Sequence, residues 1–175
     1  MDVRTLAYDH PHATTLIDEL QRWYVEWYGD TDKTPVDPAE FQPPSGLFLV
    51  GYLDGRPAGC GGWRIRDTRD PDLCDGDAEI KRMYVVPSAR GRGHSRTLLA
   101  GIERTARAAG VRRLVLETGA LQPEAIGLYE SSGYAPIGTF GLHRDEPLSR
   151  CFAKVLTAAS TPDRRDDPSD RLSQR

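Results

Sequence analysis

The stretch EIKRMYVVPSARGRGHSRTLL, residues 79–99, decides how the rest of the chain is read. Its first eight residues are rich in β-branched and aromatic side chains and stop at Pro87, so they read as a strand over 79–86. Beyond the glycines, Leu98, Leu99, Ile102, Ala106 and Ala109 recur at helical spacing, and Gly110 supplies a stop, so a helix is predicted over 93–109. PSARGRGHS therefore joins a strand end to a helix start. The first N–H groups of a helix have no partner inside it, and with the helix dipole they form an anion site. Gly91 and Gly93 allow left-handed backbone and close approach to a ligand. Arg90 and Arg92 add bidentate donors suited to phosphate oxygens. Two familiar phosphate loops are excluded: no Lys stands where a Walker loop needs one, and Arg96 replaces the third glycine of a dinucleotide fingerprint. The plain competitor is an arginine-rich surface turn.

Working outward, 3–8 reads as a first strand. Pro11 opens a helix whose stripe is Leu16, Leu20, Trp23 and Trp27, with Gly29 after it. TDKTPVDPAEFQPPSG is a loop with one helical turn. Asp54-Gly55 is a hairpin signal between strands at 47–53 and 57–65, and Gly59, Gly61 and Gly62 mark a bulge in the second. Residues 67–77 form an acidic, solvated loop. On the far side of the central stretch come a strand at 111–118, a helix at 123–132 and strands at 134–140 and 150–156. The unit from 79 to 118 is a right-handed parallel crossover, while the hairpin makes the sheet mixed. The expected fold is α/β, a mixed, mostly antiparallel sheet with helices on both faces. The domain is expected to span 1–156, and the charged remainder, 157–175, to be a disordered tail.

The 175 residues suit one domain, and the formal charge of −3 argues against general affinity for nucleic acid. The arginines clustered between Arg82 and Arg113 leave a local anion site open. No apolar run reaches a membrane span of about 18 residues, and the polar N-terminus is unlike a signal peptide. Three cysteines, Cys60, Cys74 and Cys151, fit neither a disulfide framework nor a zinc pattern, so a reduced, cytoplasmic protein is expected. His10 and His12 flank a proline in a turn, and no metal is expected.

The central stretch resembles the acetyl-CoA-binding segment of the GNAT superfamily of N-acetyltransferases, which carries [QR]-x-x-G-x-[GA] between its fourth strand and the next helix. Arg90, Gly93 and Ser95 stand at the three defined positions, and Ser95 departs mildly from the usual Gly or Ala. LETGALQPEAIGLYESSGY, residues 116–134, is similar to the family's next strand and helix, and the resemblance covers roughly 3–156. It implies a GNAT-like acyl-CoA N-acyltransferase fold. It also implies an enzyme that moves an acetyl group from acetyl-CoA to a primary amine, of a small molecule or a protein, by direct attack. The donor would be held by residues 90–95 (Arg90, Gly91, Arg92, Gly93, His94 and Ser95), by Gln122, and by the backbone of Met83, Tyr84 and Val85, where the family's central strands splay apart.

Tyr129 occupies the position from which the family points a tyrosine at the CoA sulfur, so it is the candidate acid; alone, it would read as packing on an amphipathic helix. Glu79, eleven residues before Arg90, matches the catalytic glutamate of histone-type members and is the candidate base, directly or through water. Its plain reading is a carboxylate paired with Lys81 or Arg82, and Glu117 is the reserve. For the acceptor, the candidates are Trp27, Tyr28, Phe140 and His143, although the helix stripe assigns Trp23 and Trp27 to the core first. Asp70, Asp72, Asp75 and Asp77 offer a weak prompt for a polycationic acceptor. The rival to an enzyme is a non-catalytic acyl-CoA-binding regulatory module. The family also includes homodimers, so a second copy of the chain is carried as a partner.

Overall fold

The chain reverses at Asp54-Gly55, where φ values of 49° and 76° supply the left-handed pair that a two-residue hairpin turn needs. That turn joins β2 (Gly46–Leu53) to β3 (Arg56–Ile65). The computed structural model describes residues 1–66 and 70–156. The expected tail at 157–175, and Asp67 of the acidic loop, lie outside the described residues. β1 (Asp2–Leu6) pairs antiparallel with β2, and β4 (Asp77–Val85) antiparallel with β3. α2 (His94–Ala108) then crosses over to β5 (Arg113–Gly119), which runs parallel to β4. β7 (Ser149–Val155) returns antiparallel to β5, with β6 (Ala135–Ile137) on its outer edge. The sheet order is β1-β2-β3-β4-β5-β7-β6, mixed and mostly antiparallel as expected.

Strand alternation sends two apolar sets to opposite faces. α1 (Pro11–Tyr28) covers one, packing Ala13, Leu16, Ile17 and Leu20 on Phe48, Val50, Tyr52, Cys60 and Tyr84. α2 covers the other, packing Leu98, Leu99, Ile102 and Ala106 on Leu49, Trp63, Ala78, Ile80 and Leu116; α3 (Pro123–Ser131) joins it through Tyr129. Each fully buried leucine contributes about 2 kcal/mol. The His10 side chain caps α1 by accepting from the His12 N–H, and Gly29, at φ 79°, ends it.

Three departures from the sequence reading have physical causes. The α1 stripe steps by fours through Leu16, Leu20, Tyr24 and Tyr28, which leaves Trp23 and Trp27 about one residue, 100°, around the helix. Trp27 is therefore 54% exposed and stacks on Trp23 with ring centroids 5.5 Å apart. β4 starts earlier than expected because Asp77 is buried, held by Arg113 Nε at 2.8 Å and by the Cys74 N–H at 2.8 Å. β6 shrinks to three residues, since Pro136 cannot donate to a ladder and Phe140 turns inward to pack on Leu73, Val115 and Cys151.

Candidate active site

β4 and β5 pair only from Asp77 opposite Arg113 to Ile80 opposite Leu116. Both strands continue, to Val85 and Gly119, without meeting. The cause lies in β4: Arg82 has φ 58°, and the register with β3 shifts between Cys60 and Gly62. A bulge of this kind bends its strand away from a neighbour. The backbone edge that β4 turns toward the gap is then available to a ligand.

Two tyrosines stand on opposite faces of the sheet near this opening. Tyr129, from α3, places its hydroxyl 3.6 Å from Met83 Sδ. Its ring packs edge-on against Tyr134, and burial pushes the phenol pKa up, so it stays protonated. Tyr24, from α1, packs on the opposite face; burial, then Asp32, push its phenol pKa up as well.

The glycine turn stands at the far end of the gap. Gly91 and Gly93 have φ values of 72° and 77°, and Gly93 is the N-cap of α2, which starts without a side-chain cap. A Cβ at either glycine would meet nothing within 4 Å, so the space beside the turn is open. Arg90 Nε donates to the Val85 carbonyl at 2.9 Å, and its guanidinium lies 5.6 Å from the Tyr84 ring centroid. Arg90 thus ties the turn to β4, while Arg92 is exposed and His94 and Ser95 are half-buried.

On the α1 side, a cleft of about 480 Å³ is lined by Tyr24, Tyr28, Asp32, Lys81, Glu117 and His143, with Gln122 and Ser149 at its edge. Asp32 is its hub. It accepts from Arg82 Nη1 at 2.7 Å and from the Thr34 N–H at 2.8 Å, and it faces His143 Nε2 at 3.5 Å. Burial alone would raise its carboxyl; Lys81 and Arg82 outweigh that and hold it at about 2. Glu117 is pushed the other way by burial, against Lys81, Ser149 and His143. Gln122 Nε2 donates to the Tyr28 hydroxyl at 3.2 Å, and that hydroxyl occupies the space a side chain at Gly119 would need.

Tyr28, His143 and Gln122 thus share the cleft, and Tyr129 and Met83 share the gap. Of the other expected acceptor residues, Trp27 is absent from the cleft lining, and Phe140, 1% exposed, packs in the core. Glu79 is 2% exposed and locked by cations: Arg64 Nη2 at 3.0 Å, Lys81 Nζ at 3.3 Å and Arg66 Nη1 at 3.4 Å. The acidic loop is less solvated than its composition implies, because Asp70 bonds Arg144 at 2.7 Å and Asp77 is buried. Asp32, Tyr24 and Ser149 were missed. Tyr24 and Tyr28 continue the four-residue steps of α1, a signal that was present; Asp32 and Ser149 are brought in by loop and strand pairing that no local pattern announces.

A family model described as Acetyltransferase (GNAT) family matches residues 14–134. An IAA acetyltransferase of Azospirillum brasilense is 40% identical over 155 residues, 87% of this chain and 97% of that protein. An uncharacterized N-acetyltransferase, YjgM, of Escherichia coli is 35% identical over 96 residues, 55% of this chain and 54% of that protein. A crystal structure of a putative acyl-CoA N-acyltransferase from Klebsiella pneumoniae superposes with a TM-score of 0.72 at 28% identity, covering 89% of this chain and 97% of that one.

Proposed function

The chain belongs to the GNAT family of acetyltransferases, and on that premise we propose that it transfers an acetyl group from acetyl-CoA to a primary amine of a small molecule or a protein. The observation that carries this reading is the opening in the sheet, with a protonated tyrosine at its rim, an uncapped helix start at one end and a carboxylate-lined cleft beside it. The residues fit the donor. The uncapped N–H groups of α2, with Gly91, Gly93 and Arg92, suit a pyrophosphate, and the stretch of β4 from Met83 to Val85, which does not pair with β5, suits an extended amide-bearing arm. Bound there, the donor supplies an acetyl thioester.

The chain's own residues then move protons. Glu117 takes one from the acceptor ammonium, leaving the nitrogen lone pair free to attack the thioester carbon. Glu79 is absent from the cleft lining and its carboxylate is engaged by three cations, so it is not placed to meet the acceptor. The Tyr129 hydroxyl supplies a proton to the departing sulfur as the C–S bond breaks, and is resupplied as the nitrogen sheds its second proton. One proton reaches solvent for each amide formed. The test is calorimetric titration of acetyl-CoA, followed by rate assays with phenylethylamine, spermidine, lysine and a short peptide with a free N-terminus. Micromolar binding with turnover of at least one amine is expected. Binding with no turnover would overturn the transfer reading and leave a binding module.

A further inference from the structure

The carboxylates around the cleft differ in what holds them. Asp32 is paired with Arg82 at 2.7 Å, Glu79 with Arg64 at 3.0 Å, and Asp77 with Arg113. Glu117 has no ion pair among the described residues. Its partner is a neutral hydroxyl: Ser149 Oγ donates to Oε1 at 2.9 Å. The sheet makes this contact. β5 and β7 set Glu117 opposite Cys151 and Gly119 opposite Ser149, so Glu117 and Ser149 are a diagonal pair on one face. Gly119 has no side chain to stand between them, and Ser149 is only 6% exposed, so its hydroxyl is shielded from competing water.

A cation at this distance would stabilise the carboxylate so well that it would no longer accept a proton near neutral pH. A hydroxyl fixes the orientation without cancelling the charge. We infer that Ser149 is the positioning residue for the carboxylate that deprotonates the acceptor: its hydroxyl holds Oε1 of Glu117 and leaves Oε2 to receive the proton. In that step an N–H bond of the ammonium breaks, its electron pair stays on nitrogen, and the proton becomes the O–H of Glu117. Lys81 of β4, Asp32 of the loop after α1, His143 and Glu146 of the loop before β7, and Cys151 of β7 surround the same carboxylate or line its cleft. Lys81 is spent elsewhere, on Glu79, Asp32 and Thr34. The inference rests on the amine-acetylation reading above and adds the device that keeps its base available.

The test uses the full chain and the amine of highest turnover in the panel. Ser149→Ala should shift the acid limb of the kcat/KM profile upward, because the ionised carboxylate loses a donor; kcat/KM should fall about tenfold at pH 6 and less at pH 8. The KM for acetyl-CoA should stay within about twofold, since Ser149 does not touch the donor gap. Ser149→Thr, which restores a hydroxyl, should return the limb. Glu117→Gln should abolish the limb, and adding Ser149→Ala to it should cost little more. A uniform loss in Ser149→Ala with the limb in place would overturn the positioning role and leave amine acetylation standing. Full activity in Glu117→Gln would overturn both the base and its positioner. If no amine is turned over, the parent reading falls, and 13C NMR of glutamate-labelled protein still decides the contact: a Glu117 carboxyl titration unmoved by Ser149→Ala overturns it.

Discussion

Tyr129 and Asp32 do opposite work with a single polar group each. Tyr129 keeps its proton because burial disfavours the phenolate, which suits the proton donor proposed above. Tyr129→Phe should lower kcat about 100-fold while the acetyl-CoA dissociation constant moves by less than about threefold, read by steady-state kinetics beside calorimetry. Asp32 is an anchor: it ties the loop after α1 to Arg82 and Lys81 of β4 and reaches His143 across the cleft. Its folded carboxyl titrates at about 2, below the ordinary 3.8, so its contribution to stability is complete above about pH 4 and disappears as pH falls through 2. The amount is about 2 kcal/mol. Asp32→Asn leaves the Arg82 guanidinium buried without its counter-charge and should cost about 3 kcal/mol at pH 7. Urea unfolding of the two proteins should show that difference shrinking at pH 2.

Among the elements, α2 and its turn were the most legible, because glycine spacing and an apolar stripe are local signals. The left-handed angles expected of Gly91 and Gly93 are those observed. Gly93→Ala places a Cβ on a residue at φ 77°, a strain of about 1 kcal/mol, and should lower Tm by about 3 °C. If the turn relieves that strain by moving, acetyl-CoA affinity falls by about fivefold, so calorimetry and a melting curve check one variant together. α1 was legible in extent but not in rotation. A stripe counted through Trp23 and Trp27 misses that beyond the buried Leu20 the half-buried Tyr24 and Tyr28 continue the helix's steps by four while Trp27 is exposed, and only the packed sheet distinguishes the two. Glu79 shows the same limit. Its place before Arg90 is readable, yet the arginines that enclose it are Arg64 of β3 and Arg66 just past its end, and cross-strand pairing leaves no trace near it in the chain.

At the level of the whole molecule, the mixed sheet with helices on both faces followed from the hairpin, the crossover and the alternation of strands and helices, which is why the architecture was predictable while the cleft was not. The cleft is assembled from α1 and the loop after it, β4, β5, the N-cap of α3, the loop before β7 and the first residue of β7, and it exists only once all of them are in place. The gap between β4 and β5 also has a kinetic consequence. It is an interruption in the sheet's pairing, with Tyr24 packed on one face and Tyr129 on the other. On the acetyl-transfer reading proposed above, a donor at the glycine turn and an acceptor in the cleft would enter by separate doorways, and neither guest would need to leave before the other arrives. Double-reciprocal plots against both substrates should give intersecting lines, each product should inhibit most strongly against the substrate that shares its doorway, and parallel lines would mean that the acetyl group rests on the protein between two visits.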